Sequence, residues 1–420
     1  MQDSSELKTQ EMLPYTTSAS DARCKANEEI RTALDTAFEG RGIDRAEALH
    51  LLEHAPTADL LEAATAVRQR FKEKTVSFSK KVFIPLTTLC RDYCGYCTFR
   101  KDPGEPGARF MTPEEVLSAA QAARRGGCKE ALFSLGDQPE IIFAEARQFL
   151  REQGYKRTLD YLAAMCELVL RKTGLLPHAN PGLMSEDSMR QLKESNASLG
   201  LMLETVSPRL MRAGQTHARA PDKVPALRLR VIETAGRLRI PFTTGILIGI
   251  GETLEERLDS LIAIRGLQRR YGHIQEVIIQ NFRAKPGIPM AARPDPSLEE
   301  MLRSVAIARL ILDGEMNLQA PPNLSYADFP RLLEAGINDW GGISPVTRDF
   351  INPEAAWPEI ARLRQATEAK GLKLRERLAI YPEIARKPEF VSAAVRPHLQ
   401  ALLDADDYAR VERFTVAQGA

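Results

Sequence analysis

The sequence predicts an α/β protein built on a parallel (β/α)₈ barrel, complete or nearly so, with helical extensions at both ends. Two observations carry this prediction. Short apolar runs alternate with helix-period stretches up to eight times between residues 82 and 341, and such alternation is typical of parallel sheets with crossover helices. The 420 residues also accommodate a barrel with extensions. A doubly wound open sheet competes with this fold, but no Gly-x-Gly-x-x-Gly loop follows the first strand.

The chain before the barrel divides into two parts. Residues 1–25 are polar and rich in serine and threonine, which predicts a poorly ordered tail. Residues 26–75 carry apolar side chains at helical spacing, for example Leu60, Ala64 and Val67, and are predicted to form an N-terminal helical extension. We expect the barrel itself to occupy residues 76–345.

Within the barrel, short apolar strands are followed by longer amphipathic helices. The expected strands are 82–86, 131–135, 175–178, 199–203, 242–248, 277–280, 317–320 and 339–341. The expected helices are 112–123, 159–171, 185–194, 224–238, 254–269, 298–312 and 326–334. The first helix has a strong start signal, since Thr112 is a capping residue, Pro113 takes the first helical position and Glu115 the third.

The last part of the chain, residues 346–420, alternates helical segments with prolines. We predict a C-terminal helical extension packed on the barrel, not an independent domain. The prolines that separate its segments are Pro353, Pro358, Pro382, Pro388 and Pro397.

Composition excludes several classes of protein. The 57 basic and 56 acidic residues leave a net charge of +1, which gives no electrostatic basis for binding nucleic acid or an anionic membrane. No apolar run approaches the roughly 20 residues of a membrane-spanning helix, and the N-terminus lacks a secretory signal pattern. Six cysteines, three of them clustered, fit a reducing cytoplasm better than a disulfide framework.

Three cysteines follow the first predicted strand, at Cys90, Cys94 and Cys97. In a parallel barrel this position lies at the carboxyl ends of the strands, where chemistry gathers. Zinc ribbons use two separate pairs of cysteines, and ferredoxin clusters need a fourth cysteine with its own spacing. Three thiolates can instead hold a [4Fe–4S] cluster that leaves one iron open to an outside ligand. The spacing therefore predicts such a cluster.

This Cys-x-x-x-Cys-x-x-Cys pattern, with the aromatic Tyr96 just before the third cysteine, resembles the signature of the radical S-adenosylmethionine (radical SAM) superfamily. The resemblance implies a radical SAM barrel of the TIM type. It also implies that S-adenosylmethionine chelates the open iron and yields a 5′-deoxyadenosyl radical when an electron cleaves its sulfonium. Cofactors carry such chemistry, and the protein positions them.

Other strand ends resemble the cofactor-binding motifs of the same superfamily. After the second strand, Gly136 resembles the glycine that lets the backbone approach S-adenosylmethionine, and Asp137 or Glu140 would accept hydrogen bonds from its ammonium group. The usual motif is Gly-Gly-Glu, so the choice between these two acids stays open. An ordinary strand-to-helix turn is the alternative.

Two later strands carry further candidates. Glu204 ends the fourth strand, where an acid in related enzymes binds the ribose hydroxyls or the ammonium group. Gly245 and Gly249, in the fifth strand, resemble the motif that packs against adenine. A solvated loop acid and a glycine-bearing core strand are the respective alternatives. Polar groups at other strand ends are candidates for binding substrate: His178, Asn180, Gln280, Asn281, Arg283, Asn323, Asp339 and Trp340.

The residues around the cysteines narrow the resemblance. Residues 83–87, 98–100 and 136–140 together resemble the CofG subunit family of 7,8-didemethyl-8-hydroxy-5-deazariboflavin (FO) synthase, and the similarity runs from about Lys81 through the barrel. In that family a CofH-type radical SAM partner makes a hydroxybenzyl adduct of 5-amino-6-ribitylaminouracil. CofG abstracts hydrogen from the adduct, which then cyclises and loses ammonia. A low-potential electron donor is implied, whereas physical association with the partner is left open.

Two other functions stay possible at this stage. One is a biotin-synthase-like radical SAM enzyme with a different substrate. The other is a non-catalytic iron–sulfur or zinc protein, which requires a fourth cysteine ligand that the spacing does not offer.

Overall fold

The structure, a computed structural model, describes residues 19–411. Most of the predicted polar tail, residues 1–18, lies outside the described residues, and the first helix begins at Ala19. Among the described residues, no helix is long and apolar enough to cross a membrane.

Nine parallel strands form the central sheet. They are β1 (Thr75–Pro85), β2 (Glu130–Ser134), β3 (Leu176–Asn180), β4 (Ser198–Gly200), β5 (Phe242–Ile248), β6 (Ile274–Asn281), β7 (Leu318–Gln319), β8 (Asp339–Ile343) and β9 (Lys373–Arg377). Strands β1 to β8 follow each other in order around the sheet, and β1 also pairs with β2. That pairing closes an eight-stranded barrel, which confirms the predicted fold class and excludes an open doubly wound sheet.

Helices surround the barrel and extend it at both ends. They are α1 (Ala19–Phe38), α2 (Arg45–His54), α3 (Thr57–Lys72), α4 (Pro113–Arg125), α5 (Ala144–Glu152), α6 (Thr158–Thr173), α7 (Glu186–Lys193), α8 (Pro225–Arg237), α9 (Leu254–Tyr271), α10 (Leu298–Ile311), α11 (Ile360–Glu368), α12 (Pro382–Ala385) and α13 (Arg396–Leu402). The predicted start of α4 is confirmed, because Thr112 and Glu115 form a reciprocal capping box before Pro113.

The first three helices form a layer over one side of the barrel. Apolar residues of α3, such as Leu60, Ala64 and Val67, join the same buried core as α10 and the barrel strands. The guanidinium of Arg303, on α10, donates hydrogen bonds to the carbonyls of Leu52 (2.6 Å) and Ala55 (3.0 Å). The N-terminal layer is therefore packed on the barrel by both apolar and polar contacts.

The C-terminal region differs from its helical prediction because it contains β9. This strand pairs in parallel with the first half of β1, from Thr75 to Ser79, while β2 pairs with the second half, from Lys81 to Pro85. After β9 the chain passes beneath the barrel, where the carbonyl of Ala379 accepts hydrogen bonds from Ser198 and Gln275. The C-terminal segment thus closes the amino end of the barrel and leaves the carboxyl end for the site.

Candidate active site

A cavity of about 240 Å³ lies at the carboxyl ends of the barrel strands. The loop after β1 brings Cys90, Cys94 and Cys97 to its wall, and the loops after β2 and β3 contribute Asp137 and Gly182. The three cysteines, predicted from their spacing alone, therefore face one shared space. All cysteines with described side chains are free thiols.

Backbone hydrogen bonds hold the cysteine loop from two sides. The amide of Arg91 donates to the carbonyl of Asp137 (3.1 Å), and the amides of Tyr93 and Gly95 donate to carbonyls of the loop that follows β4 (both 2.8 Å). The Sγ atom of Cys90 accepts from the amide of Asp137 at 3.2 Å. Such amide donors stabilise a thiolate sulfur that binds metal.

Gly136 allows the closest approach between the two loops. A Cβ atom at this position would lie 2.0 Å from the carbonyl oxygen of Leu89 and 2.6 Å from Cβ of Cys90. Any larger residue would displace the backbone that carries the first cysteine. Gly136 is thus required for the position of Cys90, in addition to its predicted role beside the cofactor.

Three buried carboxylates form a cluster beside Cys90. Oxygen atoms of Asp92, Asp137 and Asp222 lie within 4.8 Å of one another. Burial and the neighbouring Asp222 raise the pKa of Asp137 to about 6, although its carboxylate also accepts a hydrogen bond from Arg91. Burial and the contact with Asp222 raise the pKa of Asp92 to about 8.

Asp222 keeps its negative charge because two cations face it. Burial alone would raise its pKa, but Lys223 and Arg228 outweigh burial and lower that pKa. The Arg228 guanidinium lies 3.0 Å from an Asp222 oxygen, while the other oxygen, Oδ1, is buried without a hydrogen-bond partner. This carboxylate oxygen can accept a donor from a bound ligand.

Glu204 is held by a cation on the next loop. Its carboxylate lies 3.1 Å from Nζ of Lys223 and is almost fully buried. Burial and Arg228 would lower the pKa of Lys223, but Glu204 and Asp222 outweigh them and raise it. Tyr96 lies nearby, with its hydroxyl 3.2 Å from Nε2 of His217. The cavity wall therefore combines a paired acid with an aromatic ring.

The radical SAM superfamily domain matches residues 84–263. The chain is 49% identical over 335 residues to the 7,8-didemethyl-8-hydroxy-5-deazariboflavin synthase of Methanopyrus kandleri, covering 80% of this chain and 100% of that protein. This chain belongs to the 7,8-didemethyl-8-hydroxy-5-deazariboflavin synthase family. It is thus a radical SAM enzyme of FO biosynthesis, and the family implies a [4Fe–4S] cluster and S-adenosylmethionine. The resemblance seen around the cysteines is confirmed.

Other relatives of this FO synthase family member differ in length. The chain is 46% identical over 403 residues to the FO synthase of Streptomyces coelicolor, but it spans only 46% of that protein. The hydrogenase maturase HydG from Carboxydothermus hydrogenoformans shares the fold, with a TM-score of 0.67 and 20% identity over 91% of this chain and 92% of that chain. Methylornithine synthase (PylB) also shares the fold, with a TM-score of 0.63 and 21% identity over 81% of this chain and 97% of that chain.

The structure brings seven of the ten predicted site residues to one cavity. These are Cys90, Cys94, Tyr96, Cys97, Gly136, Asp137 and Glu204. Glu140, Gly245 and Gly249 do not line it. Glu140 accepts hydrogen bonds from the amide (3.1 Å) and hydroxyl (2.6 Å) of Thr158, at the start of α6. A Cβ on Gly245 would lie 2.1 Å from the Ile278 carbonyl, so this glycine lets β5 pack on β6.

Several charged residues of the cavity were missed from the sequence, among them Asp92, Asp222, Lys223 and Arg228. Asp92 lies inside the cysteine motif, which was a usable signal. The other three lie on the loop after β4 and at the start of α8, and no motif marks them. The fold of this loop brings them to the cysteines. There the amide of Asp222 donates a hydrogen bond to the carboxylate of Asp92 (3.1 Å).

The residues present fit the cofactors that the family implies. Cys94 is buried and Cys90 is half-buried; desolvation raises the pKa of both thiols, and metal binding would drive their ionisation. The buried Asp222 oxygen without a partner and the carboxylate of Asp137 are suitable acceptors for an ammonium group. This donor set accommodates both a cluster and an amino-acid-bearing cofactor.

Proposed function

We propose that this synthase acts on 5-amino-5-(4-hydroxybenzyl)-6-(D-ribitylimino)-5,6-dihydrouracil, the hydroxybenzyl adduct. Hydrogen abstraction, cyclisation onto the phenol ring, loss of ammonia and removal of one further electron, which the oxidised cluster would accept, convert it to FO. One observation supports this proposal most directly. The cysteine-lined cavity adjoins a second, polar cavity in the barrel lumen, which suits an extended, hydroxyl-rich substrate with one end near the cysteines.

For the cofactors, we propose Cys90, Cys94 and Cys97 as the three cluster ligands, with Asp137 as acceptor for the ammonium group of S-adenosylmethionine. When bound, the two cofactors supply the 5′-deoxyadenosyl radical. The chain's own residues position them and exclude water. Tyr96 and Glu204 lie on the cavity wall, where they can contact the nucleoside part.

Anaerobic reconstitution with iron and sulfide tests the cofactor assignment. We expect cluster absorbance, and 5′-deoxyadenosine after addition of reductant and S-adenosylmethionine. Cys94→Ala should abolish both. Cys128→Ala is the matched control, because this buried cysteine lies outside the cavity and donates only to the Lys81 carbonyl. Wild-type amounts of cluster in Cys94→Ala would contradict the assignment.

Feeding the hydroxybenzyl adduct tests the substrate. Appearance of deazaflavin fluorescence together with 5′-deoxyadenosine supports the proposal. Cofactor cleavage without deazaflavin would instead support a biotin-synthase-like enzyme that acts on another substrate.

We further propose that a separate CofH-type radical SAM enzyme supplies the adduct. The family resemblance supports this proposal, because in that family a CofH-type radical SAM enzyme makes the adduct. Placing the two enzymes on either side of a membrane that passes only small molecules tests whether the adduct diffuses. FO formation across the membrane would show that a stable complex is not required.

A basic surface beside the cysteines suggests how the electron donor binds. The ring of Tyr93 lies between two guanidinium groups, 3.3 Å from Arg100 and 4.2 Å from Arg219. A surface cavity joins these residues to Cys94, Cys97 and Lys101. We propose a small acidic low-potential protein, of the kind found in the reducing cytoplasm, as the donor.

Charge reversal at Arg219, which is exposed, tests the donor surface. Arg219→Glu should slow reduction by an acidic flavoprotein or ferredoxin, with an effect that shrinks at high salt. Reduction by dithionite should stay at the wild-type rate. The matched control is Arg230→Glu, on α8 and outside this surface cavity. Equal slowing with both reductants would contradict the docking surface.

A further inference from the structure

The barrel lumen holds a second cavity of about 170 Å³ beneath the candidate active site, which we call the lower chamber. Barrels of this type are normally filled at this level by layers of branched apolar side chains. Here polar and charged side chains line the space instead, one or more from most strands: Lys81, Glu130, His178, Thr243, Glu276 and Gln319. A polar, incompletely filled lumen indicates a polar ligand.

The two cavities adjoin and share lining residues. Ser134, Asn180 and Gln280, at the carboxyl ends of β2, β3 and β6, line both of them. A molecule that binds beside the cysteines can therefore extend downward between these side chains into the lower chamber.

Lys81 is the most unusual group in the lower chamber. Its ammonium lies 5.1 Å from the centre of the Trp357 ring, and it forms no hydrogen bond or ion pair with any described residue. A Cβ on Gly342 would lie 2.6 Å from Nζ, so the glycine makes room for this side chain. Burial lowers the pKa of Lys81 despite the carboxylate of Glu130. A ligand oxygen would satisfy this donor.

Other polar groups of the chamber are also incomplete. The indole nitrogen of Trp357 and Oδ1 of Asn323 are buried without hydrogen-bond partners. By contrast, the carboxylate of Glu276 is fixed by Thr243 (3.1 Å) and Arg377 (3.2 Å). The side chains that line the chamber thus include both donors and acceptors without partners, and hydroxyl groups are the ligand groups that act as both.

The upper cavity has a different character. Its wall carries Tyr96, Phe99, Leu135, Leu247 and Phe282 beside the cysteines. Aromatic and aliphatic side chains suit a flat ring better than a polyol. The two cavities therefore differ in the part of an extended substrate that each can accept.

We propose that the lower chamber binds the ribityl chain of the substrate, with Lys81 and Trp357 donating hydrogen bonds to its hydroxyl oxygens. The phenol ring then lies in the upper cavity near the cysteines. This inference rests on the proposed function and adds the direction in which the substrate lies. It also makes Lys81 and Trp357 determinants of specificity for a hydroxylated chain.

Two ligands and three variants test this orientation. The ligands are the hydroxybenzyl adduct and an analogue with an ethyl group in place of the ribityl chain. The variants are Lys81→Met and Trp357→Phe, which remove only the donors, and Lys80→Met as matched control. Lys80 precedes Lys81 on β1, so its side chain leaves the strand on the opposite face, and it does not line the chamber. Dissociation constants are measured anaerobically on the cluster-loaded enzyme.

We expect Lys81→Met and Trp357→Phe each to weaken binding of the adduct by about tenfold or more. Binding of the ethyl analogue should stay unchanged in both variants, and Lys80→Met should match the wild type with both ligands. Cluster absorbance and the melting temperature show whether each variant is folded. If Lys81→Met does not fold, Trp357→Phe, which retains an aromatic ring, still tests the proposal.

Equal loss of affinity for both ligands would overturn the orientation, and so would unchanged affinity for the adduct in both variants. Failure of the wild-type enzyme to convert the adduct is a different result, because it would overturn the proposed function itself. If the wild-type enzyme converts the adduct and both Lys81→Met and Trp357→Phe bind it with wild-type affinity, only the proposed binding role of the lower chamber is overturned.

Discussion

Asp137 and Glu140 lie three residues apart but have different surroundings. Asp137 lines the cavity beside Cys90, whereas Glu140 is bound to Thr158 at the start of α6. The sequence left the choice between these acids open because both follow the same glycine. Of the two, the structure brings only Asp137 to the cavity, and Glu140 lies in the 3₁₀ turn Pro139–Ile141.

Matched substitutions separate the two acids. Asp137→Asn should weaken S-adenosylmethionine binding by about tenfold, because an amide replaces a charged acceptor. Glu140→Ala should leave that affinity unchanged and lower the free energy of unfolding by about 1 kcal/mol, the usual value of a helix cap. Calorimetric binding and denaturant unfolding measure the two quantities. Reversed effects would assign the ammonium site to Glu140.

Buried histidines make the fold sensitive to acid. Burial lowers the pKa of His273 to about 4, from an ordinary value of 6.5. Because the folded pKa lies below the unfolded one, protons bind the unfolded chain first. Stability is therefore complete above pH 6.5, falls as the pH drops through 6.5, and stops falling near pH 4.

The contribution of His273 can be isolated by substitution. Between pH 7 and pH 5, one such histidine costs about 1–2 kcal/mol of unfolding free energy. His273→Gln should flatten the pH dependence by that amount in denaturant unfolding. His54→Gln is the control, because that side chain is half exposed. Identical slopes for wild type and His273→Gln would show that the group titrates normally in the folded protein.

At the scale of secondary-structure elements, β9 is fixed by a buried ion network. The Arg377 guanidinium donates to Asp339 on β8 (2.7 and 3.0 Å) and to Glu276 on β6 (3.2 Å). All three residues are buried, and Asp339 has no exposed surface. One residue of β9 thus connects two other barrel strands at the amino end of the barrel.

Removal of this arginine should leave two buried carboxylates without their cationic partner. We expect Arg377→Met to lower the free energy of unfolding by about 3–5 kcal/mol, as for other broken buried ion pairs. Arg375→Met, on the same strand, should cost less than about 1 kcal/mol because Arg375 and its partner Asp404 are each about 30% exposed. Equal losses in thermal or denaturant unfolding would argue against the network.

Most barrel elements could be predicted, because an apolar run or a helical spacing of apolar residues can be recognised within a short stretch of sequence. Strand β5 was predicted at its observed bounds, and α4 begins at its predicted capping residue. Strand β9 was missed, since its sequence, Lys-Leu-Arg-Glu-Arg, has four charged residues of five. Its strand conformation depends on β1 and on Asp339, which lie far away in the sequence. Helix α5 was also missed, and it has only nine residues.

The candidate site was predictable to a similar degree. Seven of ten predicted residues share one cavity because each lies in a short motif just after a strand. The cations Lys223 and Arg228 were not predictable, since the loop that carries them has no motif and reaches the cysteines only through tertiary contacts. Gly245 lies outside the cavity, and its lack of a side chain lets β5 pack closely on β6.

At the scale of the whole molecule, one apolar core joins the N-terminal layer to the barrel. The core includes Ala33 of α1, Leu51 of α2 and Leu60 of α3 together with the strands. A smaller core lies under the C-terminal segment around Ile380 and Phe390. Both ends of the described chain pack on the barrel. The predicted boundaries at residues 75 and 345 lie near the start of β1 and the end of β8.

This shared core predicts one cooperative unfolding transition. Far-UV circular dichroism reports mainly on the helices, while tryptophan fluorescence reports on Trp340, which is buried in β8, and on Trp357. Both signals should change at the same denaturant concentration. Earlier loss of the helical signal would mean that the N-terminal layer unfolds by itself.

The segment after β9 has a consequence for the order of events in catalysis. It crosses the amino end of the barrel beneath the lower chamber, where Tyr381 donates its amide to Gln275 (3.2 Å). Ligands therefore enter and leave the barrel at its carboxyl end, past the cysteines. Given the proposed sites, the ribityl compound must load before S-adenosylmethionine, and FO must leave after 5′-deoxyadenosine. Steady-state kinetics should accordingly be compulsory-ordered, with high S-adenosylmethionine concentrations inhibiting turnover.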